Sequence, residues 1–167
     1  LGMNYRYDQL NRLKKQQAFM ISPATGAQSL LTNDAYGMHL SYDGSGNIIN
    51  LRRMGRESNI KMDNLVYHYM DANGNDIPNM ANPPLNATNR LAYVTDELGY
   101  TPAYPEVSPV NGTVTDIDNQ NPGNYDYDAI GNLIQDKSEN ISRIEWNLQG
   151  KITAIRKSTS EDLYFEY

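Results

Sequence analysis

A short pattern that recurs along the chain limits what this sequence can fold into. The stretch NYDYDAIGNL at residues 124–133 contains two alternating aromatic residues, an aspartate, a Gly-Asn pair and an apolar residue. Related stretches are YRYDQLNRL from Tyr5, LSYDGSGNI from Leu40 and IEWNLQGKI from Ile144, and the chain ends in YFEY. Such self-similarity is typical of repeat architectures, in which each copy is one supersecondary unit.

Each copy predicts one β-hairpin. Alternation places the two aromatic rings on one face of a strand. The aspartate is expected to accept hydrogen bonds from backbone N–H groups of the turn, and the glycine to adopt a positive φ. The predicted turn residues are Asp8, Asn11, Asp43, Gly46, Asn47, Asn89, Asp128, Gly131, Asn132, Asn147 and Gly150. The predicted repeat aromatics are Tyr5, Tyr7, Tyr42, Tyr67, Tyr69, Tyr125, Tyr127, Trp146 and Tyr167.

Departures from the pattern favour a turn over an active site. Asn11 and Asn89 replace the glycine, and asparagine is the residue other than glycine that best tolerates the left-handed region. Asn147 replaces the aspartate and can make the same turn bond. A catalytic acid, in contrast, would lose its function if an amide replaced it. A damaged copy is expected at Leu65–Tyr69, with its second half displaced to Asn89–Asp96.

The predicted fold class is all-β, an antiparallel meander of hairpins that forms a curved, twisted sheet. The length of 167 residues predicts a single domain over 1–167, with Asn- and Pro-rich insertions at about 70–88 and 97–123. The predicted strands are 3–8, 12–21, 37–43, 47–54, 61–69, 90–96, 124–128, 132–137, 142–147, 151–156 and 162–167. Prolines at 102, 105, 109 and 122 predict a loop over 97–124.

Composition narrows the classes of partner. The net charge is −6, and the densest basic patch, Leu51–Arg56, is short, so nucleic acid is not an expected partner. The chain contains no cysteine, which excludes disulfides and thiolate chemistry. No apolar run reaches about 18 residues, so membrane insertion is not expected.

The sequence predicts no catalytic residue, no cofactor and no metal site. Nucleophile elbows, phosphate-binding loops and zinc-protease motifs are absent. MDANGNDIPN, at 70–79, has the alternate oxygens of a calcium loop, but Asp76 and Asn82 stand where an EF-hand needs glycine and glutamate. TDIDNQNPGN, at 115–124, fails in the same way. His39 and His68 have no partner at ligand spacing and are interpreted as packing or surface residues.

The repeated stretches resemble a known family. YRYDQLNRL, YDGSGNI and YDYDAIGNL are similar to YD repeats, the unit of RHS-repeat proteins, and MDNLVYHY, NRLAYVTD, NYDYDAIGNLIQD and ISRIEWNLQGKI follow an order similar to that of bacterial surface and secreted members. The resemblance implies a secreted or cell-surface, cell wall-associated protein, of which this chain is a fragment. The Asp-Pro of the family's self-cleavage motif is absent.

The resemblance implies a structural role without catalysis. The repeats would form part of a β-shell or stalk that encloses or presents a C-terminal toxin or effector, with flanking repeats and the toxin domain as partners. The alternative is a carbohydrate-binding or cell-adhesion module, which predicts two or three coplanar exposed rings. A glycosidase would need two carboxylates at a fixed separation in a cleft. The isolated chain is expected to self-associate through open strand edges.

Overall fold

The computed structural model describes residues 1–56, 61–96 and 120–167, and these residues form an all-β protein. The strands are β1 (Gly2–Tyr7), β2 (Leu13–Ile21), β3 (Gln28–Leu30), β4 (Met38–Tyr42), β5 (Ile48–Met54), β6 (Lys61–Asp71), β7 (Ala87–Thr95), β8 (Tyr125–Tyr127), β9 (Leu133–Asp136), β10 (Ile141–Trp146), β11 (Ile152–Lys157) and β12 (Leu163–Tyr164). Helical structure within the described ranges is one 3₁₀ turn, Thr32–Asp34.

The strands form two antiparallel sheets. The first has the order β1-β2-β4-β5-β6-β7, with β3 paired to β2, and the second has the order β8-β9-β10-β11-β12. Most strands therefore pair with the next strand along the chain, as in a meander of hairpins. The predicted all-β antiparallel fold is confirmed.

The chain divides into two compact units, each with a small core. One unit contains Leu1–Val66 and the short piece from Thr95, and the other contains Tyr67–Val94 and the chain after residue 119. Buried residues of the first include Ala18, Phe19, Ala35 and Leu65. Those of the second include Tyr69, Ile77, Met80, Ala92, Val94, Ile144 and Ala154. The prediction of one repeat domain over 1–167 stays a prediction.

Strand positions follow the predicted pattern closely. Each of the eleven predicted strands overlaps an observed one, and most boundaries agree within two residues. The short strand β3 was not predicted. It pairs with β2 after a turn in which Gly26 has a φ of 69°. The predicted loop over 97–124 lies outside the described residues except at its end, and no helix in the described part could cross a membrane.

Candidate functional site: the repeated turn

Five turns of the described chain share one hydrogen-bond pattern. In the turn that starts at Asp128, the Asp128 N–H donates to the Asn132 carbonyl at 3.0 Å, and the Gly131 N–H donates to the Asp128 carbonyl at 3.1 Å. The Asp128 Oδ1 also accepts the N–H groups of Ile130 and Asn132, at 3.0 and 2.9 Å. The same bonds form in the turns that begin at Asp8, Asp43, Asp71 and Asn147.

The fourth residue of each turn has a positive φ, as the pattern predicts. Gly131 has a φ of 94° and Asn11 has a φ of 59°. The other fourth residues are Gly46, Gly74 and Gly150, with φ values of 96°, 84° and 73°. The predicted turn positions of Asn11, Gly46, Gly131 and Gly150 are therefore confirmed.

The second carboxylate oxygen binds the fifth residue of the turn. The Asn132 Nδ2 donates to the Asp128 Oδ2 at 2.9 Å, and the Asn47 Nδ2 donates to the Asp43 Oδ2 at 2.8 Å. In the first turn the Arg12 Nε takes this place, 2.7 Å from the Asp8 Oδ2. Both oxygens of each aspartate are thus engaged within its own turn.

These bonds change the acidity of the turn aspartates. The backbone N–H of Arg12, together with its guanidinium, lowers the pKa of Asp8. The Asn75 N–H and the neighbouring amides lower the pKa of Asp71. Partial desolvation raises the pKa of Asp128, but the hydrogen bonds from Asn132 and Ile130 outweigh it, so the net shift is downward. The turns stabilise the ionised form, which is unsuited to a general acid.

Asn147 closes its turn with the same hydrogen bonds, although its side chain is uncharged. Its Oδ1 accepts the N–H groups of Gln149 and Lys151, each at 3.0 Å. A side-chain oxygen at this position is therefore sufficient to close the turn, which is the behaviour of an Asx turn.

The fourth copy differs from the prediction. Its turn begins at Asp71 and continues through Gly74 to Asn75, directly after β6, so the second half is not displaced. Asn89, predicted to be left-handed, lies instead in β7 and is absent from the residues with positive φ. Asn89 is not needed in a turn, because the turn that begins at Asp71 already reverses the chain after β6. The prediction for Asn89 is wrong.

The Asp71 turn carries a signal that the sequence reasoning missed. The stretch DANGN repeats the Asp-x-x-Gly-Asn of DGSGN and DAIGN. Met70 precedes the aspartate where the other copies have an aromatic residue, and the closely spaced oxygens imitate a calcium loop. The Asp71 Oδ1 instead accepts the N–H groups of Asn73 and Asn75, at 2.8 and 2.9 Å.

A β-bulge marks the repeat aromatic of four hairpins. The register shifts at the aromatic residue, which pairs with the sixth residue counted from the start of its turn. These pairs are Tyr7 with Leu13, Tyr42 with Ile48, Tyr127 with Leu133 and Trp146 with Ile152. The bulge adds one residue to the second strand and fixes where the aromatic side chain meets the neighbouring hairpin.

Repeat aromatics donate hydrogen bonds to backbone carbonyls earlier in the chain. The Tyr42 hydroxyl donates to the Leu13 carbonyl at 2.8 Å, and the Trp146 Nε1 donates to the Leu133 carbonyl at 2.9 Å. The remaining bonds run from Tyr127 to Leu91 at 3.0 Å and from Tyr167 to Ile152 at 3.0 Å. Leu13, Leu133 and Ile152 each hold the sixth position of the preceding turn, so these bonds tie one hairpin to the next.

A cation lies over three of these rings. The Arg12 Cζ is 4.7 Å from the Tyr42 ring centroid, and the Lys151 Nζ is 4.4 Å from that of Tyr167. Arg90 lies 6.0 Å from the ring of Tyr127. Each cation immediately precedes the residue whose carbonyl accepts the hydrogen bond, and the Asn-Arg-Leu of 11–13 and 89–91 is the sequence signal for the two arginines.

The other predicted aromatics have different surroundings. Tyr69 is buried, and Tyr67 is half-buried. The Tyr125 hydroxyl accepts a hydrogen bond from the Gln120 Nε2 at 2.9 Å, and desolvation raises the pKa of Tyr125. Tyr5 and Tyr7, on β1, are both exposed.

Asp126 and Asp128 line an open groove of about 680 Å³, together with Arg143, Glu145 and Trp146. Asp128 is engaged in its turn, and the Asp126 Oδ1 accepts the Tyr127 N–H at 2.8 Å. The Glu145 Oε1 lies 3.1 Å from the Arg156 Nε. The acids of this groove thus all have intramolecular partners.

The two histidines contact other parts of the protein. His39 binds the Asp34 carboxylate, to which Arg52 also donates at 3.2 Å. His68 stacks on Tyr93 with a centroid distance of 4.1 Å, and desolvation lowers the pKa of His68. The Asp34 cluster connects the 3₁₀ turn to β4 and β5.

The fold and the turns together define a class, an antiparallel β protein built from hairpins that an Asp or Asn side chain closes. Comparison of the chain with family models, with curated proteins and with solved structures gives no match.

Proposed function

We propose that this chain is a non-catalytic structural segment of an RHS-type protein, part of a β-shell or stalk that encloses or presents a C-terminal toxin or effector. The observation that carries the proposal is the use made of the repeated polar and aromatic side chains. The turn aspartates hold their own backbone, and the rings bind a neighbouring hairpin. Because these side chains form hydrogen bonds within the scaffold, the proposal assigns them a structural role and no catalytic one.

The aromatic contacts also bear on the alternative of a glycan-binding module. Stacking on a sugar needs exposed rings, but Tyr42, Tyr127 and Trp146 are half-buried and donate to backbone carbonyls. Their positions support a role in joining hairpins. In this proposal the protein is secreted or attached to the bacterial surface, and its repeats contact flanking repeats and the effector.

The coding sequence that flanks this chain gives the most direct test of the proposal. We expect further copies of the repeat on either side and a C-terminal effector domain beyond them. A membrane anchor beyond the repeats would favour the adhesion alternative. Flanking enzyme domains without repeats would contradict the scaffold proposal.

A second test concerns the turn acids. Screens for hydrolysis of peptides and glycans should detect no turnover by the wild-type chain. The Asp128→Asn variant should keep the far-ultraviolet circular dichroism of the wild type, because Asn147 closes its turn with an amide oxygen. Turnover that disappears in Asp128→Asn while the fold is kept would replace the scaffold proposal with an enzyme.

A further inference from the structure

Tyr7 lacks the backbone contact that four other repeat aromatics make. Tyr42, Tyr127, Trp146 and Tyr167 each donate to a backbone carbonyl that lies earlier in the chain. The Tyr7 hydroxyl makes no hydrogen bond to the described residues, and Tyr7 is 59% exposed. Its turn and its bulge are nevertheless the same as in the other copies.

The strand that carries Tyr7 is also open along one edge. β4 pairs with β5 on one side and with β2, the second strand of the preceding hairpin, on the other. β10 lies in the same way between β11 and β9. Within the described residues β1 pairs with β2 alone and ends the first sheet, and Asn4–Tyr7 are exposed. An open edge presents unpaired N–H and C=O groups.

We propose that the edge of β1, together with Tyr7, is the docking surface for the second strand of another hairpin of this repeat type. The partner is defined by its turn, which begins with Asp or Asn and has Gly or Asn in fourth place and Leu or Ile in sixth. The carbonyl of that sixth residue accepts the Tyr7 hydroxyl, as the Leu13 carbonyl accepts that of Tyr42. Where the fifth residue of that turn is basic, it lies over the ring, as Arg12 does over Tyr42.

Continuity with the contacts between neighbouring hairpins selects this partner. The pairing of β2 with β4 and that of β9 with β10 both join the second strand of one hairpin to the first strand of the next. The bond from the aromatic residue to the sixth position accompanies both pairings. β1 has the sequence and the bulge of such a first strand. The inference rests on the proposed scaffold function and names the partner that this scaffold binds.

A grafted hairpin tests the inference directly. Residues 125–140, which contain β8, the Asp128 turn and β9, are copied in front of Gly2 in place of Leu1. Tyr7 then stands where Trp146 stands in the natural sequence, and Asn140 keeps its turn position, where its φ is 56°. The matched control carries the same graft with Gly131→Val inside the copied turn, where φ is 94°.

The readouts are the effect of Tyr7→Phe on unfolding in urea and the nitration of Tyr7 by tetranitromethane. At concentrations low enough to keep both chains monomeric, we expect Tyr7→Phe to have no effect on the natural chain but to raise the unfolding equilibrium constant of the grafted chain roughly five-fold, which corresponds to about 1 kcal/mol for one hydrogen bond. Tyr7 should be nitrated in the natural chain and in the control graft, and protected in the intact graft. Tyr5→Phe should have the same effect in both chains.

An equal effect of Tyr7→Phe in both chains, or equal nitration of Tyr7, would overturn the docking surface. Retention of the natural chain on a polysaccharide column that Tyr7→Ala abolishes would overturn it as well, because the face would then bind a glycan. Hydrolytic activity of the turn acids would instead overturn the proposed function while leaving the Tyr7 result intact, so the two failures are distinguishable.

Discussion

At the scale of single residues, the positive φ of the fourth turn position is the most restrictive feature of the repeat. Four of the five positions are glycine and one is asparagine, at Asn11. An added side chain at Gly131 would meet no atom within 4 Å, so crowding does not explain the preference. The backbone conformation does, because a left-handed residue with a Cβ is strained.

The Gly131→Val variant isolates this backbone strain. We expect it to lower the free energy of unfolding by about 1–2 kcal/mol, since a β-branched residue is strongly disfavoured in the left-handed region. The matched control is Gly44→Val, where the added side chain also meets open space but φ lies outside the left-handed region. Urea unfolding should show a change for Gly44→Val of less than about 0.5 kcal/mol. Equal losses in the two variants would contradict the assignment of strain.

The turn carboxylates predict a loss of stability in acid. The folded-state pKa values of Asp8, Asp71 and Asp128 lie below the ordinary aspartate value of 3.8. Their stabilisation is therefore complete at pH values above 3.8 and is lost as the pH falls through the lowered folded-state values. Asp128→Asn removes one titrating group, so its unfolding midpoint in urea should fall less between pH 7 and pH 3 than that of the wild type.

The control for the acid experiment is Asp126→Asn, which removes a neighbouring carboxylate whose Oδ1 accepts the adjacent Tyr127 N–H rather than the N–H groups that close the turn. The reduction of the fall in Asp128→Asn should exceed that in Asp126→Asn, because the Asp128 carboxylate accepts the hydrogen bonds that close the turn. If Asp128→Asn lost as much stability in acid as the wild type, the turn bonds of Asp128 would not explain the acid sensitivity.

At the scale of strands and hairpins, the link between hairpins can be measured at Tyr127. Tyr127→Phe keeps the ring and removes the hydroxyl that donates to the Leu91 carbonyl. We expect a loss of about 1 kcal/mol in the free energy of unfolding, the usual net value of one hydrogen bond. Tyr5→Phe removes a hydroxyl that makes no hydrogen bond to the described residues and should cost much less. Similar values for the two variants would mean that the bond to Leu91 contributes no stability.

Local pattern was sufficient to place most strands and turns, because alternation and turn residues act over a few neighbouring positions. The eleven predicted strands were found, whereas β3 has only three residues and no alternation long enough to recognise. The Asp71 turn was missed because Met70 lacks the ring that marks the other copies. Asn89 was misplaced because its Asn-Arg-Leu resembles that of Asn11, although it continues a strand.

The contacts between hairpins could not be predicted from the sequence. The rest of β2, the strand β3, the 3₁₀ turn and most of β4 lie between Leu13 and Tyr42, and the gaps between copies are irregular. No local rule specifies which carbonyl such a ring will meet. The acceptor became identifiable only when the bulge and the pairing of β2 with β4 were known.

At the scale of the whole molecule, the open edge of β1 predicts self-association. Its exposed residues include Tyr5 and Tyr7, and an uncovered edge with apolar side chains invites pairing with another chain. Light scattering at micromolar concentration should detect species larger than a monomer. Tyr5→Lys should reduce them, because a lysine on an edge strand disfavours intermolecular pairing.

The chain carrying the grafted hairpin provides the control, because it covers the six-residue edge strand β1 and presents a copy of β8, which has three residues, as the new edge; short edge strands disfavour pairing. It should associate less than the natural chain. A natural chain that stays strictly monomeric under these conditions would mean that its edge is protected, and that it is a self-contained module.

The five turns share one hydrogen-bonded geometry, whereas their second and third residues differ from turn to turn. In all five, the second and third residues are exposed: Gln9 and Leu10, Gly44 and Ser45, Ala72 and Asn73, Ala129 and Ile130, and Leu148 and Gln149. In four of the turns the third residue contributes only its backbone N–H to the closing hydrogen bonds, and in the fifth the Asn73 Nδ2 also lies 3.5 Å from the Asp71 Oδ2. Substitutions at these tips should therefore cost little in folding stability, so the turns can carry different side chains, or an inserted peptide tag, on the same hairpins.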